Sequence, residues 1–438
     1  MGNHIRQSAR IWARQIKLYG VALGKWLLLA TVTGTACGLL GSLFHIAVEA
    51  ATELRAAQPW LLYALPLAGL AIVALYRLLR TEGQGTNDIF NEVHQGGAIS
   101  ARLVPSIFLG TVLTHLCGGS AGREGAALQM GGALGYRVGW LFHFDERDLR
   151  IATTTGMAAF FTALFGTPLA ASVFAIAVVS VDSFYHAALF PSLTAALEAY
   201  GISRLLGVES THFAVAAPAL EAGLLIRTAA LAALCGLLSI LFCGTIHFAE
   251  HQMTKRLPNP WVRAFAGGCA VVALTWIFGT TDYNGAGMQV IAAAVEQGTA
   301  HPAAFLLKLV FTAITLAAGF KGGEVVPSFF VGAAFGCVAG PLLGLPAGFA
   351  AALGLVSVFC GAVNCPLASI FLAVELFGGE GLLYFAVACC VSFVLSGYNG
   401  LYSSQRILHS KLKGLYINVH ANDTAVEGSR EAVAADRT

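Results

Sequence analysis

Apolar positions along this chain fall in long, nearly uninterrupted runs, at about 20–50, 59–79, 103–118, 126–142, 150–181, 184–206, 218–250, 260–280, 303–320, 326–364 and 366–397. A single α-helical crossing of a bilayer takes ~20 such residues. Several runs are longer than that and others shorter. Gly118-Gly119, Gly166-Thr167-Pro168, Gly322-Gly323 and Cys365-Pro366 break them. Clean, even spans would suit a simple helical bundle, whereas uneven and interrupted ones predict an all-α, polytopic membrane protein with broken helices, as in transporters.

Composition agrees with that pattern. Of 438 residues, 57% are hydrophobic and 11% charged, and mean hydropathy is +0.73. Soluble domains carry about 25% charged residues, so a soluble scaffold is excluded. The 50 glycines suit close helix packing without a hydrophobic force between helices. Net charge is only +2, and placement says more than the total. Arg6, Arg10, Arg14, Lys17 and Lys25 crowd one end, and Arg406, Lys411 and Lys413 follow the last run, which predicts both termini on the cytoplasmic side of the membrane. The first apolar run is too long and glycine-rich for a cleaved signal and is read as mature structure. The ten cysteines lie mostly within apolar runs, as buried reduced thiols, and neither they nor the twelve histidines show metal-ligand spacing. No metal, cofactor or nucleic-acid partner is expected. The polar stretch after 406 is expected to be disordered.

An internal repeat organises the chain. Gly83-Gln84-Gly85-Thr86-Asn87-Asp88-Ile89 echoes Gly285-Ala286-Gly287-Met288-Gln289-Val290-Ile291, Gly122-Arg123-Glu124 echoes Gly322-Gly323-Glu324, and Pro168-Leu169-Ala170 echoes Pro366-Leu367-Ala368, at offsets of 202, 200 and 198. The expected organisation is a basic segment 1–18, a first repeat 19–206, a linker 207–217, a second repeat 218–405 and a tail 406–438. Paired broken helices at matching places in two halves point to a central site.

Glu124 sits where glycines open onto a helix. Free backbone N–H groups and the positive end of the dipole make such a terminus an anion site. A carboxylate there can occupy the site itself and compete with an incoming anion until protonated or displaced. The plainer reading is a glutamate that complements the dipole, but intramembrane carboxylates are costly and usually functional. Glu324 is the matching carboxylate, with Lys321 three residues earlier as a possible ion-pair partner, and Pro327 suits the first turn of the following helix. Thr86 and Asn87 lie in a Gly-flanked loop before an amphipathic stretch; they can bind an anion, or Asn87 can be a simple N-cap. Tyr398 and Tyr402, after the last run, can reach back to an anion or serve as interfacial anchors.

These motifs resemble the CLC family of chloride channels and anion/proton antiporters: Gly122-Arg123-Glu124-Gly125 with downstream Gln129 and Gly131-Gly132, and the two Pro-Leu-Ala segments, across residues 20–405. The resemblance implies inverted halves, a homodimer with one pathway per subunit, and Glu124 as the gating, proton-carrying glutamate. Departures from the chloride pattern, Gly85-Thr86-Asn87-Asp88-Ile89 and Phe320-Lys321-Gly322-Gly323-Glu324-Val325 above all, are similar to the family's fluoride-exporting branch. The window 174–179, where chloride/proton antiporters carry an internal proton-transfer glutamate, has no carboxylate. Tyr402, rather than Tyr398, matches the anion-coordinating tyrosine.

The resemblance therefore implies a fluoride/proton antiporter expelling fluoride. Anion binding is expected from Thr86, Asn87, Gly122, Arg123, Gly125, Val325, Val326 and Tyr402. Glu324 would relay a proton or pair with Lys321. The rivals are a chloride-selective or nonselective carrier and, more remotely, an intramembrane enzyme using Glu124 and Glu324 as acid and base.

Overall fold

The computed structural model describes residues 2–181, 185–413 and 415–423, with side chains from Trp12 onward except at residue 13. Eight α-helices precede the linker: α1 (Gly2–Ala57), α2 (Leu65–Leu79), α3 (Thr86–Gln95), α4 (Leu103–Leu116), α5 (Glu124–Leu141), α6 (Glu146–Phe165), α7 (Pro168–Ala177) and α8 (Leu189–Leu205). Eight follow it in the same order: α9 (Ala222–Arg256), α10 (Pro260–Phe278), α11 (Met288–Glu296), α12 (Ala304–Ala317), α13 (Val325–Leu342), α14 (Ala347–Val363), α15 (Pro366–Phe377) and α16 (Leu382–Leu395). Among the described residues, the helices long and apolar enough to cross a membrane are α1, the 59–79 segment ending in α2, α9, α10 and α13. Large apolar side chains such as Leu43, Ile226, Leu237, Phe248 and Trp276 are exposed on their outer faces, the surface that hydrocarbon covers.

Three apolar runs prove to be helix pairs. Run 150–181 divides into α6 and α7 because Gly166 closes α6 at φ +71° and Pro168, which cannot continue a helix, opens α7. Asn364, at φ +57°, and Pro366 divide α14 from α15 in the same way within the second half. Run 326–364 likewise folds back between α13 and α14, and 366–397 between α15 and α16. Helix runs through the basic segment 1–18 into the rest of α1, and the side chains described there are exposed. The side chains of Arg6 and Arg10 lie outside the described residues.

The core is two helix hairpins built alike. Along α5, a Cβ on Gly131 would lie 2.3 Å from the Gly156 carbonyl of α6, and one on Gly135 would lie 2.1 Å from that of Ala152. In the second half, a Cβ on Gly332 of α13 would lie 2.3 Å from the Gly354 carbonyl of α14, and one on Gly336 would lie 2.2 Å from that of Ala350. Small residues four apart let each pair of backbones touch, and dispersion between them replaces the hydrophobic force that lipid does not supply. Every residue of α6 from Ile151 to Phe165 is buried as a result.

The linker has no regular secondary structure over 208–217, and Val208 and Phe213 within it are buried. Thr211 N–H donates to the Phe165 carbonyl and Phe213 N–H to that of Leu376, tying both halves to it.

The expectation of a disordered tail is overturned for its first part. Strands β1 (Arg406–His409) and β2 (Tyr416–His420) pair antiparallel, with Arg406 opposite His420. Ile407 and Val419 are buried beside Tyr398, and Val181 N–H donates to the Arg406 carbonyl. Two short strands carry too little apolar alternation to stand out in sequence; docking against the membrane domain supplies the missing face. Residues 424–438, the rest of the expected tail, lie outside the described residues.

Candidate functional site

The N-termini of α5 and α13 meet at the centre. Their approach loops form a reciprocal backbone pair, with Gly122 N–H donating to the Gly323 carbonyl (2.7 Å) and Gly323 N–H to the Gly122 carbonyl (2.9 Å). Only glycine fits here. A Cβ on Gly323 would lie 2.4 Å from the Gly125 nitrogen, and one on Gly322 would lie 2.5 Å from Ala121 Cβ. The glycines that break the apolar runs thus press two positive helix ends against one point.

This pairing refines the repeat. Gly122 meets Gly323, Arg123 and Glu324 are the two N-cap residues, and Glu124 and Val325 open their helices. Glu324 therefore matches Arg123 and not Glu124, which corrects the expected equivalence of the two glutamates by one residue. One residue matters at a helix start, because successive side chains there leave in directions ~100° apart.

Glu124 is fully buried. Its carboxylate folds back over its own loop, close enough that a Cβ on Gly122 would lie 2.2 Å from Oε2. Oε2 accepts from the Arg123 N–H at 2.9 Å and, across the interface, from the Val326 N–H at 3.3 Å. Oε1 is buried without a hydrogen-bond partner among the described residues. One oxygen of the carboxylate thus occupies donors contributed by both halves, and the other is placed to hold a proton. The Arg123 side chain lies within Coulombic range of Glu124 and of Glu49 on α1.

Glu324 faces the same region, its Oε2 3.4 Å from where a Cβ on Gly125 would stand, and within Coulombic range of Glu124. The suggested pairing with Lys321 does not form: the Lys321 ammonium lies over the Tyr76 ring, 4.3 Å from its centroid, and no Glu324–Lys321 bridge occurs among the described residues. The backbone turn at Lys321, held by its N–H donating to Thr114 Oγ1, is followed by glycines that send the two side chains apart.

The N-terminus of α3 is tied to this centre through α5 and the segment that carries Tyr402. Its N-cap is Gly85, whose N–H donates to Asp88 Oδ2 at 2.7 Å, so the reading of Asn87 as an N-cap is overturned. Asn87 Oδ1 instead accepts from the Ser404 N–H at 3.1 Å, and Thr86 Oγ1 accepts from Gln129 Nε2 of α5 at 2.9 Å. Phe90, one turn into α3, meets the Tyr402 ring edge-on at 5.0 Å. Tyr402 is buried, within Coulombic range of Glu324 and Glu124, and its hydroxyl has no hydrogen-bond partner among the described residues. Tyr398 is occupied elsewhere, donating to Ser410 Oγ at 2.8 Å.

The structure thus gathers Gly122, Arg123, Glu124, Gly125, Glu324, Val325, Val326 and Tyr402 at one place, with Thr86 and Asn87 one layer away, holding α3 to α5 and to the Tyr402 segment. Sequence reasoning missed Ser404 and Asn364. It also missed Lys308, a buried ammonium that donates to the carbonyls of Tyr283 (3.2 Å) and Gly285 (2.6 Å) and pins the loop before α11. A lysine within an apolar helix was the available signal. Among the described residues, no three His, Cys, Asp or Glu side chains group as a metal site would need.

Comparison with known proteins places this architecture. The family model described as voltage gated chloride channel matches residues 68–397. A chloride/fluoride channel protein of Pseudomonas syringae pv. tomato is 37% identical over 398 residues, 89% of this chain and 88% of that one. The voltage-gated ClC-type chloride channel ClcB of Escherichia coli is 27% identical over 375 residues, 80% of this chain and 86% of that one. Among solved structures, a CLC-type fluoride/proton antiporter superposes with a TM-score of 0.85 at 34% identity, covering 88% of this chain and 98% of that one. A slow cyanobacterial Cl-/H+ antiporter gives 0.73 at 22% identity, covering 85% and 94%, a likeness of fold.

Proposed function

The chain belongs to the voltage gated chloride channel family, and on that footing we propose that it is a fluoride/proton antiporter that exports fluoride from the cytoplasm, driven by the inward proton gradient. One observation carries the reading: the Glu124 carboxylate accepts hydrogen bonds from N–H groups of both halves and keeps its second oxygen buried and unpartnered among the described residues.

A carboxylate held this way stands in for an anion. Protonation at Oε1 removes its charge and weakens both hydrogen bonds, since bonds to ionised acceptors are about twice as strong as neutral ones. The side chain then leaves, and fluoride takes the N–H donors of Arg123 and Val326 with the Tyr402 hydroxyl opposite. Return of the ionised carboxylate expels the ion. One group thus exchanges places with the anion each time it gains or loses a proton, which couples the two fluxes. Glu324, at Coulombic range and free of Lys321, relays the proton inward. Fluoride is favoured over chloride by Gly323-Glu324-Val325 at the start of α13 and by the fluoride named in the descriptions of two similar proteins. Fluoride is small and strongly hydrated, so its site must replace water with several well-aimed donors.

In the same reading residues 19–206 and 218–405 are the two inverted repeats. The protein is a homodimer in the bacterial inner membrane with both termini cytoplasmic, in keeping with the lysines and arginines that crowd the chain near both ends. Fluoride-loaded proteoliposomes test the function. Efflux with simultaneous proton uptake supports antiport, and chloride efflux at equal rate would reject fluoride selectivity. Cross-linking of the reconstituted protein tests the dimer.

A further inference from the structure

We infer that Asn364 and Lys411 are positioning residues through which the C-terminal β1–β2 hairpin seats Tyr402 at the anion site, so that hairpin docking sets fluoride affinity. The inference rests on the proposed role of Tyr402.

Three observations converge on it. The first is a break in the internal repeat. Gly166-Thr167-Pro168 and Asn364-Cys365-Pro366 are equivalent ends of α6 and α14, and both Gly166 and Asn364 adopt left-handed backbone, at φ +71° and +57°. Glycine takes that conformation freely and a side chain there is uncommon. The second half nevertheless carries asparagine, so its amide has work to do.

The second observation is what that amide does. Asn364 is buried; its Nδ2 donates to the Asn399 carbonyl and to Gln405 Oε1, both at 3.0 Å. Gln405 Nε2 in turn donates to the carbonyls of Val178 (2.9 Å) and Val363 (2.8 Å). These bonds grip the segment 399–405 on either side of Tyr402. Leu401 N–H donates to the Ala362 carbonyl, and Gln405 N–H to the Tyr402 carbonyl itself. The segment has no regular secondary structure to fix it, so the network decides where the Tyr402 ring lies.

The third observation is where the network's charge comes from. The Lys411 ammonium, carried on the hairpin, donates to Asn364 Oδ1 (2.5 Å), the Phe393 carbonyl (2.9 Å) and Ser396 Oγ (3.1 Å), and stands 4.1 Å from the Phe393 ring centroid. An ammonium on Oδ1 fixes the amide's orientation, so that Nδ2 must point at Asn399 and Gln405. The hairpin itself is fastened by Ala421 N–H donating to the Gln405 carbonyl and Asn422 N–H to that of Tyr398. Seating the hairpin therefore orients Asn364, and Asn364 holds the tyrosine's segment.

The test uses the full chain in proteoliposomes. Asn364→Gly keeps the left-handed backbone and removes only the amide; Lys411→Met keeps the length and apolar stem and removes only the charge. Each is expected to raise the KM for fluoride about fivefold, the loss of one net hydrogen bond at the anion, with maximal turnover within about twofold. Lys411→Arg is expected to restore most of the affinity, and Leu412→Ala, at an exposed neighbour, to change nothing. Combining Lys411→Met with Tyr402→Phe is expected to add nothing beyond Tyr402→Phe alone, because both remove the same contact. Unchanged KM in both Asn364→Gly and Lys411→Met, with KM raised in Tyr402→Phe, overturns the positioning role. A Tyr402→Phe protein with unaltered KM overturns the reading of Tyr402 on which the inference rests.

Discussion

Replacing Glu124 by alanine removes the group that competes with the anion while sparing the donors. In the intact protein Oε2 takes one hydrogen bond of full length, from Arg123 N–H at 2.9 Å, and one long bond, from Val326 N–H at 3.3 Å. A hydrogen bond to a charged acceptor is worth about 1.5–3 kcal/mol net. Counting the short bond fully and the long one as a fraction, the carboxylate holds its place by about 2 kcal/mol, or roughly 30-fold in occupancy. An incoming anion must overcome that factor wherever the carboxylate is ionised. Glu124→Ala is therefore expected to bind fluoride about 30-fold more tightly, read by isothermal titration calorimetry in detergent. Glu124→Gln keeps a neutral acceptor, with bonds about half as strong, and is expected to fall between the two. In both variants fluoride moves down its own gradient without proton uptake, read by a fluoride electrode with a pH dye in the same vesicles. Proton uptake at an undiminished ratio to fluoride in either variant refutes the argument, as does weaker fluoride binding in Glu124→Ala.

Gly323→Ala forces a Cβ to 2.4 Å from the Gly125 nitrogen and breaks the reciprocal Gly122–Gly323 pair; a loss of about 2 kcal/mol from two neutral bonds is expected as a lower thermal midpoint and abolished transport. Gly135→Val places branched carbon where even a single Cβ would lie 2.1 Å from the Ala152 carbonyl, and overpacking of about 1–3 kcal/mol is expected to lower the midpoint without altering anion selectivity at the remaining active fraction. Glu324→Gln is expected to retain fluoride binding by calorimetry but to lower the proton-to-fluoride ratio, read from the reversal potential. Lys308→Met removes two charge-assisted bonds to loop carbonyls, at 3.2 and 2.6 Å, and is expected to cost about 3 kcal/mol or more of stability. His94 Nε2 lies 3.0 Å from the Val179 carbonyl, and burial first and then the Arg406 charge push the ring down to about 4, with His420 and Arg150 adding to the effect. Its folded value lies below its unfolded one, so the contact's stability is full above about pH 6.5 and is lost as pH falls toward 4. Proteolysis at the hairpin is expected to accelerate over that range in detergent, and not in His94→Gln.

Much of this molecule is written along the chain because a bilayer is a demanding solvent. Every backbone group within it must be satisfied inside a helix, so apolar runs had to be helices, and Gly and Pro had to be where those helices break. The repeat was legible for the same reason: Gly-rich breaks recur at matched places, and Glu124 stands out because a carboxylate among apolar spans is rare. Lengths were less legible, since the runs 150–181 and 326–364 read alike whether crossed once or folded back. Helix α3, amphipathic and polar on balance, and α11, apolar but only 9 residues long, fall short of a span and did not stand out as apolar runs.

Tertiary structure alone decided which groups meet. Sequence offsets put Glu324 opposite Glu124, and the Gly122–Gly323 pairing moved it by one residue, to the cap position. A spacing of three from Lys321 to Glu324 suggested an ion pair, and the two glycines between them sent the ammonium to Tyr76 instead. Asn87 looked like a cap and is a strut to Ser404, more than three hundred positions away in sequence. Local pattern fixes a helix because its hydrogen bonds close within four residues. A site assembled from residues 124, 326 and 402 is fixed by backbones that touch only after both halves have packed.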